Sequence, residues 1–202
     1  MGCVVAPQPY QAPTAGQAAA VHACPAVQAA GFHTPGCDPY QPLEAKYKLT
    51  RRCLEILVQN NWPVVIQTRS GLVTRDIDIL KKSKDIEAGF SITTANDEIR
   101  KIFEPNAPSI EKRLRAIGEL HRNGIRTYAM IAPILPEAGN LIRMLVGKVD
   151  YIIIDRMNYF HAAKIYEGLG WKDKNTYEYF KAIGSKIVKD CTESGIECRS
   201  AY

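Results

Sequence analysis

The fold is decided by residues 89–120, whose sequence is GFSITTANDEIRKIFEPNAPSIEKRLRAIGEL. Phe90 and Ile92 alternate with polar residues, which is typical of a strand, and two helical patterns follow. The strand ends in Ser-Ile-Thr-Thr at 91–94, and a stiff acidic turn at 104–109 separates the two helices. Because a plain connection needs only a glycine or an asparagine, this sequence indicates that the strand end faces a ligand.

Capping signals define the two helices of this stretch. Thr94 and Asp97 have the spacing of a capping box, which predicts a helix over 95–103. Ser109 is placed to cap the next helix, and Gly124 is placed to end it.

The alternation of strands and helices extends over residues 38–202. Apolar runs rich in β-branched residues predict strands at 63–68, 86–94, 126–133, 150–155 and 196–202. Helical periodicity predicts further helices at 43–59, 74–83, 136–148 and 176–195. Continuously apolar strands separated by helices indicate an α/β protein with a parallel sheet and right-handed crossovers.

Ligands of parallel sheets and barrels bind beyond the carboxyl ends of the strands. In this chain, Arg69 and Ser91 follow or end two neighbouring strands, so both are predicted to lie at that edge. Simpler interpretations stay open beside this one. Arg69 could be a solvated loop charge, Ser91 an ordinary strand-end hydroxyl, Glu104-Pro105 only a rigid turn and Asp155-Arg156 an internal ion pair.

The composition is that of a soluble globular protein, with 46% hydrophobic and 23% charged residues among 202. No apolar run approaches the roughly eighteen residues that span a bilayer, and no basic segment precedes a leucine-rich stretch. We therefore predict a cytoplasmic protein without membrane contact. The net charge of +5 permits an anionic partner without requiring one.

The chain divides at residue 38. Residues 1–37 contain no Asp, Glu, Lys or Arg and consist mostly of Ala, Pro, Gln and Gly. Such a segment buries too little apolar surface to fold alone, so we predict that it is disordered. Residues 38–202 then form the one folded domain.

Classical cofactor motifs are absent from the sequence. It contains neither GxGxxG nor GxxxxGK[ST], and its four histidines are scattered. His121 is predicted to be a helix-face residue without a catalytic role. The six cysteines lack the two- or three-residue steps that bring thiolates onto one metal, and Cys53 and Cys191 are predicted to be small core residues.

Several blocks of the sequence carry a family resemblance. They are DPYQPLEAKYKLTRRCLEIL, PVVIQTRSGLVTRDIDIL, the stretch over 89–120, PILP and DYIIIDRMN, in this order. Together they resemble the radical S-adenosylmethionine proteins of the spore photoproduct lyase type, often labelled DNA repair photolyase-like. The resemblance covers about residues 38–160.

The resemblance implies a partial (β/α)6 TIM-like barrel, truncated here by about the first two strands. It also implies a 4Fe–4S cluster on three cysteines, with S-adenosylmethionine chelating the fourth iron. One electron from the cluster would cleave the sulfonium to a 5′-deoxyadenosyl radical, which abstracts a hydrogen from the substrate. The implied partners are a nucleic acid substrate and an electron donor such as ferredoxin or flavodoxin.

The same resemblance implies three cofactor-binding residues. Arg69 in QTRS matches a position, usually lysine, that contacts the methionine carboxylate. Ser91 in FSITT matches a serine near the amino-acid end of the same ligand. Asp38 in DPYQP lies at the end of what should be the second strand. Pro133 and Asp155 occupy the rims of later strands, and no residue is assigned as catalytic or as a metal ligand.

One departure from the family is large, because the cluster motif CxxxCxxC occurs nowhere in the chain. We therefore expect that this chain does not assemble the 4Fe–4S cluster. Three hypotheses follow: a lyase-like radical enzyme, a non-enzymatic remnant that keeps the α/β scaffold, and an unrelated barrel enzyme that binds an anion. Iron and sulfide content distinguishes the first from the other two.

Overall fold

The computed structural model describes residues 27–29, 37–156 and 161–200. Six strands form one sheet in chain order: β1 (Val27–Ala29), β2 (Val64–Thr68), β3 (Ile86–Ser91), β4 (Arg126–Ile131), β5 (Tyr151–Ile154) and β6 (Glu197–Ser200). The strands from β2 to β6 are parallel to one another, whereas β1 is antiparallel to β2. The predicted α/β class and parallel sheet are confirmed, and the architecture is that of a partial barrel.

Eight α-helices occur in the described residues: α1 (Glu44–Tyr47), α2 (Leu49–Gln59), α3 (Ile77–Leu80), α4 (Asp97–Phe103), α5 (Ile110–Arg122), α6 (Leu141–Leu145), α7 (His161–Gly168) and α8 (Tyr177–Glu193). Short 3-10 helices precede or follow some of them at Gly71–Asp76, Ala138–Asn140 and Lys172–Lys174. None of the helices in this part of the chain is long and apolar enough to cross a membrane.

The strand β1 lies inside the segment 1–37, where sequence periodicity predicts no strand. Its three residues pair with Val64–Ile66 of β2. Three residues are too few to show a period, which explains why the pattern does not predict this strand. Residues 1–26 and 30–36 lie outside the described residues, so the predicted disorder of 1–37 stays a prediction.

Two details of the helix predictions are wrong. The predicted helix over 43–59 is divided at Lys48, whose backbone is left-handed with φ 51°. The predicted capping box at Thr94 does not form, because the Thr94 hydroxyl donates to the carbonyl oxygen of Pro136 at 2.6 Å. Asn96 is the N-cap of α4 instead, and its side-chain oxygen accepts from the backbone of Glu98 at 2.9 Å. The predicted cap at Ser109 is confirmed.

The sheet has one helix-covered face and one polar face. Side chains of alternate residues on the covered face form the core, and those fully buried include Ile66, Phe90, Ala129 and Ile152. The intervening residues form what we call the polar face: Gln67, Glu87, Arg126, Tyr128, Tyr151, Glu197 and Arg199. Period-two alternation within each strand produces this division.

A glycine on the polar face makes room for a tyrosine of the neighbouring strand. Gly89 pairs with Tyr128, and a Cβ at residue 89 would lie 2.1 Å from the Tyr128 ring. The ring of Tyr128 also stacks on Tyr151, with centroids 5.1 Å apart. Gly89 therefore allows the Tyr128 ring to lie directly across β3.

A group of paired charges fastens residues 40–51 to the 3-10 helix after β2. We call it the Asp76 cluster, after the fully buried carboxylate at its centre. Asp76 accepts from the Tyr40 hydroxyl at 3.1 Å, from Arg51 at 2.9 Å and from Arg75 at 2.8 Å. Arg75 also donates to Glu44 at 2.7 Å. The cluster holds the chain that precedes α2 in a fixed place beside the end of β2.

Candidate functional site

Asp38 joins the chain before α1 to the carboxyl end of β2. One of its carboxylate oxygens accepts from the Thr68 hydroxyl at 2.6 Å and from the backbone N–H of Tyr40 at 2.9 Å. The other accepts from the backbone N–H of Arg69 at 2.7 Å. The structure thus brings Asp38 next to Arg69, as a residue that fixes the Arg69 backbone.

Arg69 follows β2 at the carboxyl ends of the parallel strands, which we call the carboxyl edge of the sheet. Its side chain is half-exposed. Its Nε donates to Glu104 Oε1 at 3.0 Å, and 43% of its side chain is exposed. Within the described parts of the chain, its two terminal nitrogens have no partner. The Arg69 side chain is therefore held by one atom and leaves two donor nitrogens, with four N–H groups, for another group.

Glu104 is shared between Arg69 and a buried arginine. Its second oxygen lies 2.7 Å from Nη2 of Arg113, whose side chain is fully buried. Burial lowers the pKa of Arg113, while the nearby Glu104 carboxylate opposes that change. We call Arg69, Ser91, Glu104 and Arg113 the edge cluster.

The acidic turn at 104–109 wraps around two arginines. The carbonyl oxygens of Glu104 and Ala107 accept from Arg100 at 3.2 and 2.9 Å. The carbonyl oxygen of Pro108 accepts from Arg113 at 2.9 Å. The turn directs its carbonyl groups and the Glu104 carboxylate onto buried cations, and whether it is rigid stays a prediction.

Ser91 is buried beside Arg69 at the end of β3. Thr68 of β2 pairs with Phe90 of β3, so the next residues along, Arg69 and Ser91, are neighbours across the two strands. The Ser91 hydroxyl accepts from Gln67 Nε2 at 3.0 Å, and its carbonyl oxygen accepts from Arg113 at 2.8 Å. Ser91 is thus fixed through both its backbone and its side chain.

Thr93 carries a buried hydroxyl that lacks a partner among the described residues. The residue is 1% exposed and follows Ser91 by two positions, just after the end of β3. An unsatisfied buried hydroxyl costs about 1–3 kcal/mol. A water molecule or a ligand at this edge would remove that cost.

The other predicted rim residues are Pro133, Asp155 and Arg156, and they present fewer polar groups for a ligand than the edge cluster. Pro133 follows β4 after a cis peptide bond. The Asp155 carboxylate accepts from the backbone N–H of Arg156 at 2.7 Å, and the Arg156 guanidinium lies over the ring of Tyr177 at 5.5 Å. The possible ion pair between the side chains of Asp155 and Arg156 is therefore not found in the described residues.

His121 lies at the other end of the strands, beside their amino ends. Its Nδ1 is 3.1 Å from the hydroxyl of Thr127, the second residue of β4. This position at the amino end of β4 separates it from the edge cluster. Its predicted lack of a catalytic role stays a prediction.

The sequence identifies part of this site and omits part of it. Arg69 and Ser91 come together at one edge, as their positions predict. Asp38 lies beside them, but in irregular chain before α1 rather than within a strand. Gln67 and Arg113 are not predicted. A polar residue inside the apolar run VVIQT is a usable signal for Gln67, whereas an arginine on an amphipathic helix gives no sign of burial.

Comparison with known proteins agrees with this architecture. The profile of the Radical SAM superfamily matches residues 30–140. An uncharacterised protein of Methanocaldococcus jannaschii is 42% identical over 100 residues, which is 50% of this chain and 38% of that protein. A radical SAM Nα-GlyT isomerase of Pseudomonas phage M6 is 32% identical over 108 residues, covering 54% of this chain and 22% of that protein. The chain thus matches well under half the length of these relatives.

Solved structures show the same fold at low sequence identity. Spore photoproduct lyase complexed with dinucleoside spore photoproduct aligns with a TM-score of 0.57 and 15% identity, over 79% of this chain and 57% of that one. Streptococcus suis SuiB bound to the precursor peptide SuiA aligns with a TM-score of 0.57 and 14% identity, over 78% and 36%. At these identities the likeness concerns the fold alone.

The 4Fe–4S cluster that the superfamily implies does not fit the described residues. No three His, Cys, Asp or Glu side chains among them form a group that could hold a metal. Cys37 is exposed, Cys53 and Cys198 are half-buried, and Cys191 is buried. Cys3 and Cys24 lie outside the described residues, and no CxxxCxxC spacing occurs in the sequence.

Proposed function

Because the chain belongs to the radical SAM superfamily, we propose that it binds S-adenosylmethionine at the carboxyl edge of its sheet, within a protein of the spore photoproduct lyase type that acts on nucleic acid. The observation that carries the proposal is the edge cluster. It presents a guanidinium with two unused terminal nitrogens beside a buried serine, where parallel strands end.

The residues of the edge suit the amino-acid end of this cofactor. A carboxylate takes a bidentate pair of N–H donors from a guanidinium, and Arg69 retains two such nitrogens after pairing with Glu104. The Ser91 hydroxyl and the unpartnered Thr93 hydroxyl add neutral hydrogen-bonding groups. Asp38 contributes by holding the Arg69 backbone, since both of its oxygens already accept hydrogen bonds.

The proposal is limited to holding the cofactor. S-adenosylmethionine supplies a sulfonium whose cleavage needs an electron from the cluster, and the described residues do not supply the ligands of that cluster. The absence of CxxxCxxC from the sequence favours the second hypothesis, in which this chain by itself is a scaffold that retains the cofactor edge without the radical reaction.

Nucleic acid as the substrate class has weaker support. One structural neighbour is complexed with a dinucleoside and another with a peptide. On the polar face, guanidinium groups of Arg126 and Arg199 lie over the ring of Tyr151, at 5.2 and 3.9 Å from its centroid. Cations beside aromatic rings suit an anionic chain with planar bases. Fluorescence anisotropy with a labelled single-stranded oligonucleotide, repeated at increasing salt, tests this part.

Isothermal titration with S-adenosylmethionine tests the main proposal. The unaltered chain is expected to bind, and Arg69→Ala is expected to weaken binding by roughly ten- to a hundred-fold. Arg115→Ala is the matched control, because Arg115 is an exposed arginine on α5. Absence of binding by the unaltered chain, or equal losses in both variants, contradicts the proposal.

Anaerobic reconstitution with iron and sulfide tests its limit. We expect no stoichiometric cluster and no absorbance band near 400 nm. About four irons per chain, lost on substitution of Cys24 and Cys37, would show that the chain carries its own cluster and would restore the first hypothesis.

A further inference from the structure

A hydrogen-bond relay runs across three strands behind the edge cluster. Gln67 of β2 lies at its centre, with its side chain on the polar face. Its Nε2 donates to the Ser91 hydroxyl of β3 at 3.0 Å and lies against the Met130 sulfur of β4. Its Oε1 accepts from the Tyr128 hydroxyl of β4 at 3.5 Å.

The neighbours of Gln67 fix which way its amide group faces. A thioether has no hydrogen and can only accept, so the amide nitrogen rather than the amide oxygen is favoured next to Met130. The amide oxygen then faces Tyr128, whose hydroxyl has a hydrogen to donate. Burial raises the pKa of Tyr128 to about 12, so this hydroxyl keeps its hydrogen at neutral pH.

The direction of the Gln67 amide determines the role of the Ser91 hydroxyl. One amide hydrogen of Gln67 is used on Met130 and the other on Ser91. The Ser91 oxygen therefore accepts from Gln67, and its own hydrogen is not used on this neighbour. That hydrogen is available to an acceptor at the edge, where the Arg69 guanidinium also lies.

We propose that Gln67 is a positioning residue, which orients the Ser91 hydroxyl as a hydrogen-bond donor toward a ligand carboxylate beside Arg69. The inference rests on the proposed function for the identity of the ligand. It adds a basis for selectivity, because an edge with two kinds of donor favours an anionic acceptor over an ammonium or amide group.

The variant Gln67→Glu reverses the relay. Its carboxylate can only accept, so the Ser91 hydroxyl donates to it and presents lone pairs to the ligand. We expect S-adenosylmethionine to bind roughly ten-fold more weakly at pH 8 than to the unaltered chain. Binding recovers as pH falls through the pKa of the introduced carboxyl group, about 4.3 when unperturbed, because the protonated form can donate again.

Two controls separate this effect from general damage. Gln59→Glu makes the same exchange at an exposed position at the end of α2, and its affinity is expected to match that of the unaltered chain at every pH. Decarboxylated S-adenosylmethionine lacks the group that Ser91 would contact, so its affinity is expected to change less than two-fold in Gln67→Glu. Thermal melts at each pH establish that the variants are folded.

A double-mutant cycle isolates the coupling between the two side chains. In the chain that keeps Ser91, Gln67→Leu is expected to weaken binding of the cofactor by several-fold. In the Ser91→Ala background, the same substitution is expected to weaken binding by less than about two-fold. Equal losses in the two backgrounds, or a Gln67→Glu variant whose affinity does not respond to pH, overturn the inference.

A measurement without ligand separates this inference from the proposed function. In the NMR spectrum of the free chain, Ser91→Ala is expected to shift one side-chain amide proton of Gln67, and Met130→Leu the other. If the two amide protons do not shift, the proposed hydrogen bonds of Gln67 are wrong, even where the cofactor binds. Failure of the unaltered chain to bind S-adenosylmethionine overturns the proposed function and the ligand assigned to the relay.

Discussion

The Asp76 cluster and the edge cluster use the same chemistry, in which arginines pair with a central carboxylate. In the Asp76 cluster, the carboxylate is fully buried and takes hydrogen bonds from a tyrosine and two arginines. In the edge cluster, Glu104 has a buried arginine on one side and a half-exposed arginine on the other. The first cluster is closed, whereas the second has one open side.

This difference separates a structural role from a binding role more clearly than residue type does. The Asp76 carboxylate uses both oxygens within the protein, and its cluster connects segments that are far apart in the chain. Arg69 retains two terminal nitrogens without a partner in the described residues, and it lies where ligands of parallel sheets bind. Within the edge cluster, the pair of Glu104 and Arg113 is structural, and Arg69 is the part that can bind a ligand.

The largest expected effect concerns the centre of the closed cluster. Asp76→Ala removes the common partner of Arg51, Arg75 and Tyr40, so we expect the free energy of unfolding to fall by about 3–5 kcal/mol. Urea denaturation followed by circular dichroism measures this change. Asp78→Ala is the matched control, because the Asp78 side chain is 57% exposed and, among the described residues, forms its ion pair with Arg51. A small change in Asp76→Ala, similar to that of the control, would show that the cluster does not hold the fold.

The structural half of the edge cluster is expected to have the next largest effect. Glu104→Gln leaves the fully buried Arg113 guanidinium without its carboxylate, so we expect a loss of about 2–3 kcal/mol in the free energy of unfolding. The same urea experiment measures it. Glu98→Gln is the control, since Glu98 forms an exposed pair with Lys101 on α4. If both variants are equally stable, Arg113 is satisfied by its carbonyl partners alone.

The open half of the edge cluster is expected to affect binding and leave stability nearly unchanged. Arg69→Lys keeps a cation beside Glu104, so its affinity for S-adenosylmethionine should stay within roughly five-fold of that of the unaltered chain. Arg69→Ala should bind roughly ten- to a hundred-fold more weakly than the unaltered chain. Both variants should melt within about 2 °C of the unaltered chain, because the half-exposed Arg69 is screened by solvent and Glu104 keeps its pairing with Arg113. A large fall in melting temperature would show that Arg69 has a structural role, so the two clusters would no longer differ in the way described above.

Most of the fold could be predicted from the sequence because the strands are continuous apolar runs. The parallel order of β2 to β5 follows from their alternation with helices. The break at Lys48 could not be predicted, since a left-handed backbone usually appears at glycine or asparagine. The cap of α4 depends on a contact between Thr94 and Pro136, which are 42 residues apart, and local spacing contains no information about it.

The candidate site was predictable to the extent that it depends on strand ends. Arg69 and Ser91 come together because their strands are parallel neighbours in register. The partners behind them were not predictable, because Glu104 reaches back 35 residues to Arg69. Arg113 lies on an amphipathic helix, where an arginine is ordinarily solvated. Its burial depends on carbonyl groups supplied by the turn before that helix and by the end of β3.

The smallest expected effect is that of Ser91→Ala, which removes one neutral hydroxyl from the edge. A neutral hydrogen bond contributes about 0.5–1.5 kcal/mol, so affinity for S-adenosylmethionine should fall by roughly two- to ten-fold, less than in Arg69→Ala. The unfolding free energy should change little, because the carbonyl group that accepts from Arg113 remains in place. Ser70→Ala is the matched control in the loop after β2, since that hydroxyl accepts from the backbone of Leu72 within the chain. Titration calorimetry on both variants measures the difference. A loss as large as that of Arg69→Ala would show that the hydroxyl, rather than the guanidinium, dominates binding at the open side of the edge cluster.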